Sequence, residues 1–201
     1  GLDHPKVADY VQVVSGAREA GRRVAIIGAG GIGFDVAELL THNGAEDSTA
    51  FDALAVDAFC KEWGIDRGGN QRGGVIEPLM DTPGREVWLL QRKESKVGAG
   101  LAKTTGWIRR AILKKRGVRM LAGVTYERID DAGLHITVNG TPQVLEVDTI
   151  VVCAGQVCRR DLVPELEAVG IAATVIGGAN IALELDAKRA IDEGTRVAMA
   201  F

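Results

Sequence analysis

Residues 23–33 read Arg23-Val-Ala-Ile-Ile-Gly-Ala-Gly-Gly-Ile-Gly33. A β-branched run leads straight into Gly28-x-Gly30-x-x-Gly33, and a helix-type segment follows. Strand, glycine turn, helix: this order constrains the fold more than any other feature of the chain. Each glycine has its own reason. Gly28 allows a tight turn, Gly30 lets backbone approach a pyrophosphate, and Gly33 lets helix pack closely on strand. Gly31 and Ile32 open the helix, whose free N–H groups and positive dipole end are offered to the phosphates. The expectation is an open α/β domain of the Rossmann type with a dinucleotide on this turn.

The remaining pattern fits that class. Val7, Tyr10, Val11 and Val14 are spaced for one helix face over residues 5–16, with Pro5 at a first-turn position. Strands are expected at 24–27, 86–91 and 118–121, with helices at 32–41 and 103–116. Gly117 stops the second helix. Residues 44–84 interrupt the pattern with a helix over 52–63 and a glycine-rich stretch, and read as an insertion. Strands over 134–138 and 143–147 flank Asn139-Gly140, a strong hairpin signal. A buried-type strand covers 148–155. The tail has a strand over 174–176, a Gly177-Gly178 turn and a helix over 186–194. The result is a Rossmann-like domain with a β-meander before the returning strand.

Composition narrows the partners. A net charge of −3 over 201 residues gives no basic field for nucleic acid. No apolar run approaches the length of a membrane span. Cys60, Cys153 and Cys158 form no Cys-x-x-Cys pair and no metal-ligand spacing, which points to a reduced, cytoplasmic setting. His4, His42 and His135 are dispersed, with His135 expected to face solvent from its strand. No Ser–His–Asp set or paired carboxylates appear, so no catalytic residue and no metal site are assigned.

The end of the second strand decides between cofactors. A site for NAD places Asp or Glu there to accept from the ribose 2′-OH. Here the strand ends Gln91-Arg92-Lys93. Two cations without a carboxylate suit a 2′-phosphate, Arg92 as a planar fork and Lys93 as a point charge; the competing reading is a solvated basic loop. Thr104 is a candidate N-cap for the following helix. Trp107 either stacks on a cofactor ring or fills the core, and core is the commoner use. Asp35 falls in the expected first helical turn, where the dipole favours a carboxylate without any catalytic role. Cys153 sits in an apolar strand as a buried thiol; only proximity speaks for a disulfide to Cys158.

Several further motifs carry a resemblance. They are Leu90-Gln-Arg-Lys93, Lys96-Val-Gly98, Lys103-Thr-Thr-Gly-Trp-Ile108, Ile129-Asp-Asp131, Gly133-Leu-His-Ile-Thr-Val-Asn-Gly140, Cys153-Ala-Gly-Gln156, Ile176-Gly-Gly178 and Glu184-Leu-Asp-Ala-Lys-Arg-Ala-Ile191. With the glycine turn, they make essentially the whole chain resemble the C-terminal part of bacterial NADPH-dependent 2,4-dienoyl-CoA reductases. That resemblance implies a flavoprotein with two dinucleotide-binding domains. An N-terminal barrel outside this chain would carry FMN, an iron–sulfur cluster and the acyl-CoA site. Residues 1–16 would be a linker helix from an FAD domain, residues 17–153 the NADPH domain, and residues 154–201 the returning part of the FAD domain. The implied NADPH contacts are Arg92, Lys93 and Trp107. Gly155, Gly177, Gly178, Leu183, Glu184 and Asp186 are implied near the cofactors, with the helix starting at Asp186 approaching the flavin. After Gln156 the chain has Val157-Cys158-Arg159 where that family has a Glu-Pro-Asn-like run. Two alternatives stay open: a related flavin oxidoreductase of the trimethylamine-dehydrogenase or enoate-reductase type, and a non-catalytic nucleotide-sensing module.

Overall fold

The computed structural model describes residues 1–42, 53–79, 83–183 and 186–200. It divides into two compact units, Gly1–Ala154 and Gly155–Phe201.

The first unit is built on a parallel sheet. Its strands are β1 (Val7–Asp9), β2 (Arg23–Ile27), β3 (Glu86–Leu90), β4 (Arg119–Leu121) and β8 (Thr149–Val152), in the order β1-β8-β2-β3-β4. Strand β2 is central, and Val24, Ala25 and Ile26 are fully buried because both sheet faces are covered. The period-two alternation sorts its neighbours into two cores. Val24, Ile26, Val87, Leu89 and Val151 face a helical layer, meeting Val13 of α1 (Tyr10–Val14), Phe34, Val36 and Ala37 of α2 (Gly31–Thr41) and Leu113 of α4 (Gly106–Lys115). Ala25, Trp88, Leu90 and Ile150 face the other way. They meet Val124, Leu134, Ile136 and Leu145 of an antiparallel meander, β5 (Val124–Asp130), β6 (Gly133–Val138) and β7 (Thr141–Leu145). The meander thus covers the face that a doubly wound fold covers with helices. After α2, α3 (Ala53–Trp63) leads to a loop in which the Asp66 carboxylate accepts from the amides of Gly68 and Gln71 at 2.9 and 2.6 Å.

Several expectations change. The helix over 5–16 is replaced by β1, paired parallel with β8 (Val7 opposite Ile150), and a five-residue helix. Pairing at the sheet edge captures Val7, and Asp9 then caps the helix in a capping box with Gln12. Consequently Val13 is buried while Val11 and Val14 are exposed; of the predicted face, only Val7 and Tyr10 pack against the core. Asn139 and Gly140 both have positive φ, 51° and 76°, as the two-residue hairpin turn requires. That turn restarts the strand at Thr141, two residues before the expected position. Strand β5 escapes the sequence pattern because a bulge between Tyr126 and Arg128 breaks its alternation. His135 does not face solvent. Its side chain is 18% exposed and its Nε2 lies 2.8 Å from Asp130 Oδ1, a contact that holds the Asp130 carboxyl below the usual carboxylate range.

The regular elements described in the second unit are helices: α5 (Leu162–Ala168), α6 (Gly177–Asn180) and α7 (Ala187–Ala198). The strand over 174–176 does not form. A strand needs a ladder partner, and this unit has no strand among the described residues. The Gly177-Gly178 turn is the start of α6, with Gly177 at φ 59°. Asp186 caps α7, its carboxylate accepting from the Arg189 amide at 2.7 Å.

Candidate functional site

Three parallel strands end level with one another. Ile27 pairs with Leu90 on one side and with Val152 on the other. Gly28, Gln91 and Cys153 therefore leave the sheet at the same carboxyl edge. From β2 the chain proceeds to β3 on one side, while β8 and β1 fill the other. A crevice outside the strand ends at such a switch point is where open α/β sheets hold ligands.

The glycines divide into two kinds. Gly28 has φ 111°, and a Cβ there would come within 3.0 Å of Cys153 backbone and the Ala154 side chain. Gly33 is buried, and its Cβ would lie 1.8 Å from the Gly28 carbonyl oxygen. These two are dictated by packing. At Gly30 and Gly31, by contrast, a Cβ would meet nothing within 4 Å. Both are exposed, and Gly30 is the N-cap of α2 with no side-chain capping bond. The first amides of α2, including those of Ile32 and Gly33, thus form an uncapped cradle, with no acidic residue in the first turn. Asp35 falls beyond that turn because the helix starts at Gly31. It lies 3.2 Å from Arg109, which also binds Glu38.

The basic loop leaves β3 at the same edge. Arg92 and Lys93 are both exposed. The loop is held by Gln91, whose Nε2 donates to the Lys93 carbonyl at 2.9 Å and the Ser95 carbonyl at 2.5 Å. The Gly123 amide donates to the same Lys93 carbonyl at 3.0 Å. Arg92 lies close enough to Tyr126 for its charge to act on the phenol, although burial dominates and pushes the Tyr126 pKa up to about 12. The loop continues to Gly98, packed against the Phe34 ring, where a Cβ would lie 2.6 Å from it. In the sequence, Gln91 and Gly98 stand out only as members of the resemblance motifs, and Gln91 also as the absence of a carboxylate.

Trp107 stands at the start of α4. It is 60% exposed, with its indole N–H donating to the Thr104 carbonyl at 3.0 Å. The core reading of Trp107 is overturned: Gly106 takes the inward position, packed against Leu101. Thr105, not Thr104, occupies the N-cap, without a side-chain bond. Cys153 is buried at the end of β8, and burial pushes its thiol up to about 12. All three cysteines are free, so there is no Cys153–Cys158 bridge. No group of three or more His, Cys, Asp and Glu among the described residues is placed to hold a metal. No helix among them is long and apolar enough to cross a membrane.

In the second unit, Gly155 is exposed at φ 83° and Leu183 is 74% exposed. The Gly177 amide already donates to Glu193 Oε2 at 2.6 Å, and Gly178 is half-buried beside it. The α7 N-terminus, expected to approach the flavin, carries the Asp186 carboxylate as its cap. Glu184 lies outside the described residues.

A parallel sheet with this glycine turn at its switch point defines a dinucleotide-binding α/β domain. Residues 3–178 match the pyridine nucleotide-disulphide oxidoreductase family, and the chain belongs to it. The family consists of oxidoreductases that bind FAD and NAD(P)H. The chain is 24% identical to a metal reductase of Desulforamulus reducens over 87% of its own length and 24% of the relative's. Among solved structures, a 6-hydroxypseudooxynicotine amine oxidase of Pseudomonas geniculata aligns with TM-score 0.67 at 15% identity, over 100% of this chain and 25% of that one. A 2-naphthoyl-CoA reductase aligns with TM-score 0.65 at 19% identity, over 96% and 23% respectively. These structural likenesses concern the fold. The chain spans about a quarter of the length of each of these relatives.

Proposed function

We propose that residues 17–153 form the NADPH-binding, hydride-donor domain of a larger iron–sulfur flavoprotein. The observation that carries this reading is the pair of features on one edge. An uncapped glycine cradle with open space at Gly30 and Gly31 sits next to the end of β3, where Gln91 stands in place of a carboxylate and the loop carries Arg92-Lys93. The cradle residues fit a pyrophosphate, since an uncapped helix N-terminus offers free amides and nothing crowds Gly30 or Gly31. Arg92 and Lys93 fit a 2′-phosphate by charge, and the exposed Trp107 face fits a nucleotide ring. NADPH bound there supplies a hydride. The chain's own task is to bind and orient it.

The second unit belongs, in this reading, to an FAD-binding domain completed by chain outside residues 1–201, with Gly155, Gly177, Gly178, Leu183, Glu184 and Asp186 near the flavin. Its exposed apolar side chains support that assignment, because helices of this kind are stabilised by packing a face against something. The α7 terminus is left out as an anion site, since Asp186 already supplies the negative charge there. FMN, the iron–sulfur cluster and the substrate site fall to a barrel beyond this chain, and the substrate proposed is a 2,4-dienoyl-CoA of unsaturated fatty-acid β-oxidation. The motif resemblance and the fold shared with a CoA-thioester reductase support it.

A second reading is an amine-oxidising flavoprotein of the same plan, favoured by the fold shared with the amine oxidase. Turnover by the intact protein separates them. NADPH oxidation driven by 2,4-dienoyl-CoA supports the first reading. Reduction of the flavin by amines, with no acyl-CoA-dependent NADPH oxidation, rejects it in favour of the second.

A further inference from the structure

We propose that Gln91 is the residue that sets nucleotide preference in this domain, by clamping the Arg92-Lys93 loop in its phosphate-receiving form. The inference rests on the NADPH reading above and adds a positioning residue to it. A carboxamide has two N–H donors on one nitrogen. Gln91 directs that nitrogen at two backbone carbonyls of its own loop, Lys93 at 2.9 Å and Ser95 at 2.5 Å. Both partners are acceptors, so only the NH2 end of the side chain fits between them. The clamp ties the strand end at Gln91 to the carbonyls of Lys93 and Ser95, closing the turn that carries Arg92 and Lys93.

The backbone around it is tied separately. The Gln91 amide donates to the Leu121 carbonyl at 3.0 Å, and the Gln91 carbonyl accepts from the Val124 amide at 3.0 Å. The strand end is thus held by β4 and β5; in the loop beyond it, the Lys93 carbonyl is shared between the Gly123 amide and Gln91, and the tie from Gln91 to the Ser95 carbonyl depends on the side chain. Glutamate has the same length but only acceptor oxygens when ionised, and would face two carbonyls with negative charge. The acidic residue that reads a ribose diol at this position is therefore incompatible with this loop conformation. One side chain accounts both for the missing carboxylate and for the placement of the cations. Gln91 acts through Arg92 and Lys93, not on the nucleotide directly.

The test titrates NADPH and NADH into the intact protein, wild type and Gln91→Met, with Gln91→Ala as a second variant that adds no bulk. Gln91 is half-buried and its backbone bonds survive either substitution. Loss of the clamp is expected to weaken NADPH about tenfold, the scale of one charge-assisted contact misplaced, and to leave NADH within about twofold. Trypsin reads the loop independently: cleavage after Arg92 and Lys93 is expected to accelerate in both variants at unchanged thermal midpoint. A wild type without NADPH preference removes the underlying reading and this proposal together. Wild-type preference that persists in both variants overturns the clamp alone. Equal weakening of both nucleotides overturns it too, by showing a merely structural role.

Discussion

Residues 1–154 and 155–201 use their apolar side chains in opposite ways. In the first unit Val24, Ile26, Leu89 and Ile150 are sealed between a sheet and its two covering layers. In the second, Val157, Leu162, Val169, Leu183 and Met199 are each more than two-thirds exposed, and among its described residues only Gly177 is buried. A parallel sheet forces long-range closure, because each strand end must find its neighbour before its faces can be covered. Short helices make no such demand and gain little stability without a packed face. The first unit therefore holds the carboxyl edge of its sheet by its own core. The second has no such core among its described residues.

Producing the two units apart should expose the difference between them. Residues 1–154 should show one cooperative thermal transition followed by circular dichroism. Residues 155–201 should show weak helical signal and no transition. A sharp transition in the shorter piece would end the distinction drawn between them.

Within the first unit, two glycines sharpen the separation of packing from binding. Gly33→Ala puts a Cβ 1.8 Å from the Gly28 carbonyl and should destabilise by about 3 kcal/mol or more, read by denaturant unfolding. Gly30→Ala meets open space at φ −82° and should leave stability within about 1 kcal/mol, while weakening nucleotide binding where the phosphates approach. Equal loss of stability at both would mean that the turn is shaped by packing throughout.

A smaller effect concerns acid. The Arg23 side-chain hydrogen bond, then its backbone amide, hold the Asp148 carboxyl below its ordinary value. A depressed folded pKa contributes stability above the unfolded value, near 4, and that contribution is lost as pH falls through the folded pKa. Asp148→Asn should therefore lower the thermal midpoint at pH 7, and the gap to wild type should close towards pH 2. A gap that widens in acid would reverse the sign of this linkage.

Much of this was legible beforehand because it rests on local signals. The glycine turn, the Asn139-Gly140 hairpin and the buried strands each state their structure within a few residues. What the sequence hid depended on distant partners. Val7 joined a strand because β8 was there to pair with, not because of its neighbours in sequence. Strand β5 was masked by its bulge, and residues 174–176 had strand composition without a ladder to join. At the site, Arg92 and Lys93 were visible as charges. The clamp by Gln91 was not, because it is set by where two carbonyls turn.

In the function proposed above, the carboxyl edge of the sheet selects NADPH through Arg92 and Lys93. Isothermal titration of NADPH and NADH, on wild type and on Arg92→Ala/Lys93→Ala, tests it. NADPH is expected to bind tighter than NADH by about tenfold or more in the wild type, and the two equally in the double variant. Equal affinities in the wild type, or a preference that survives the double substitution, would contradict it.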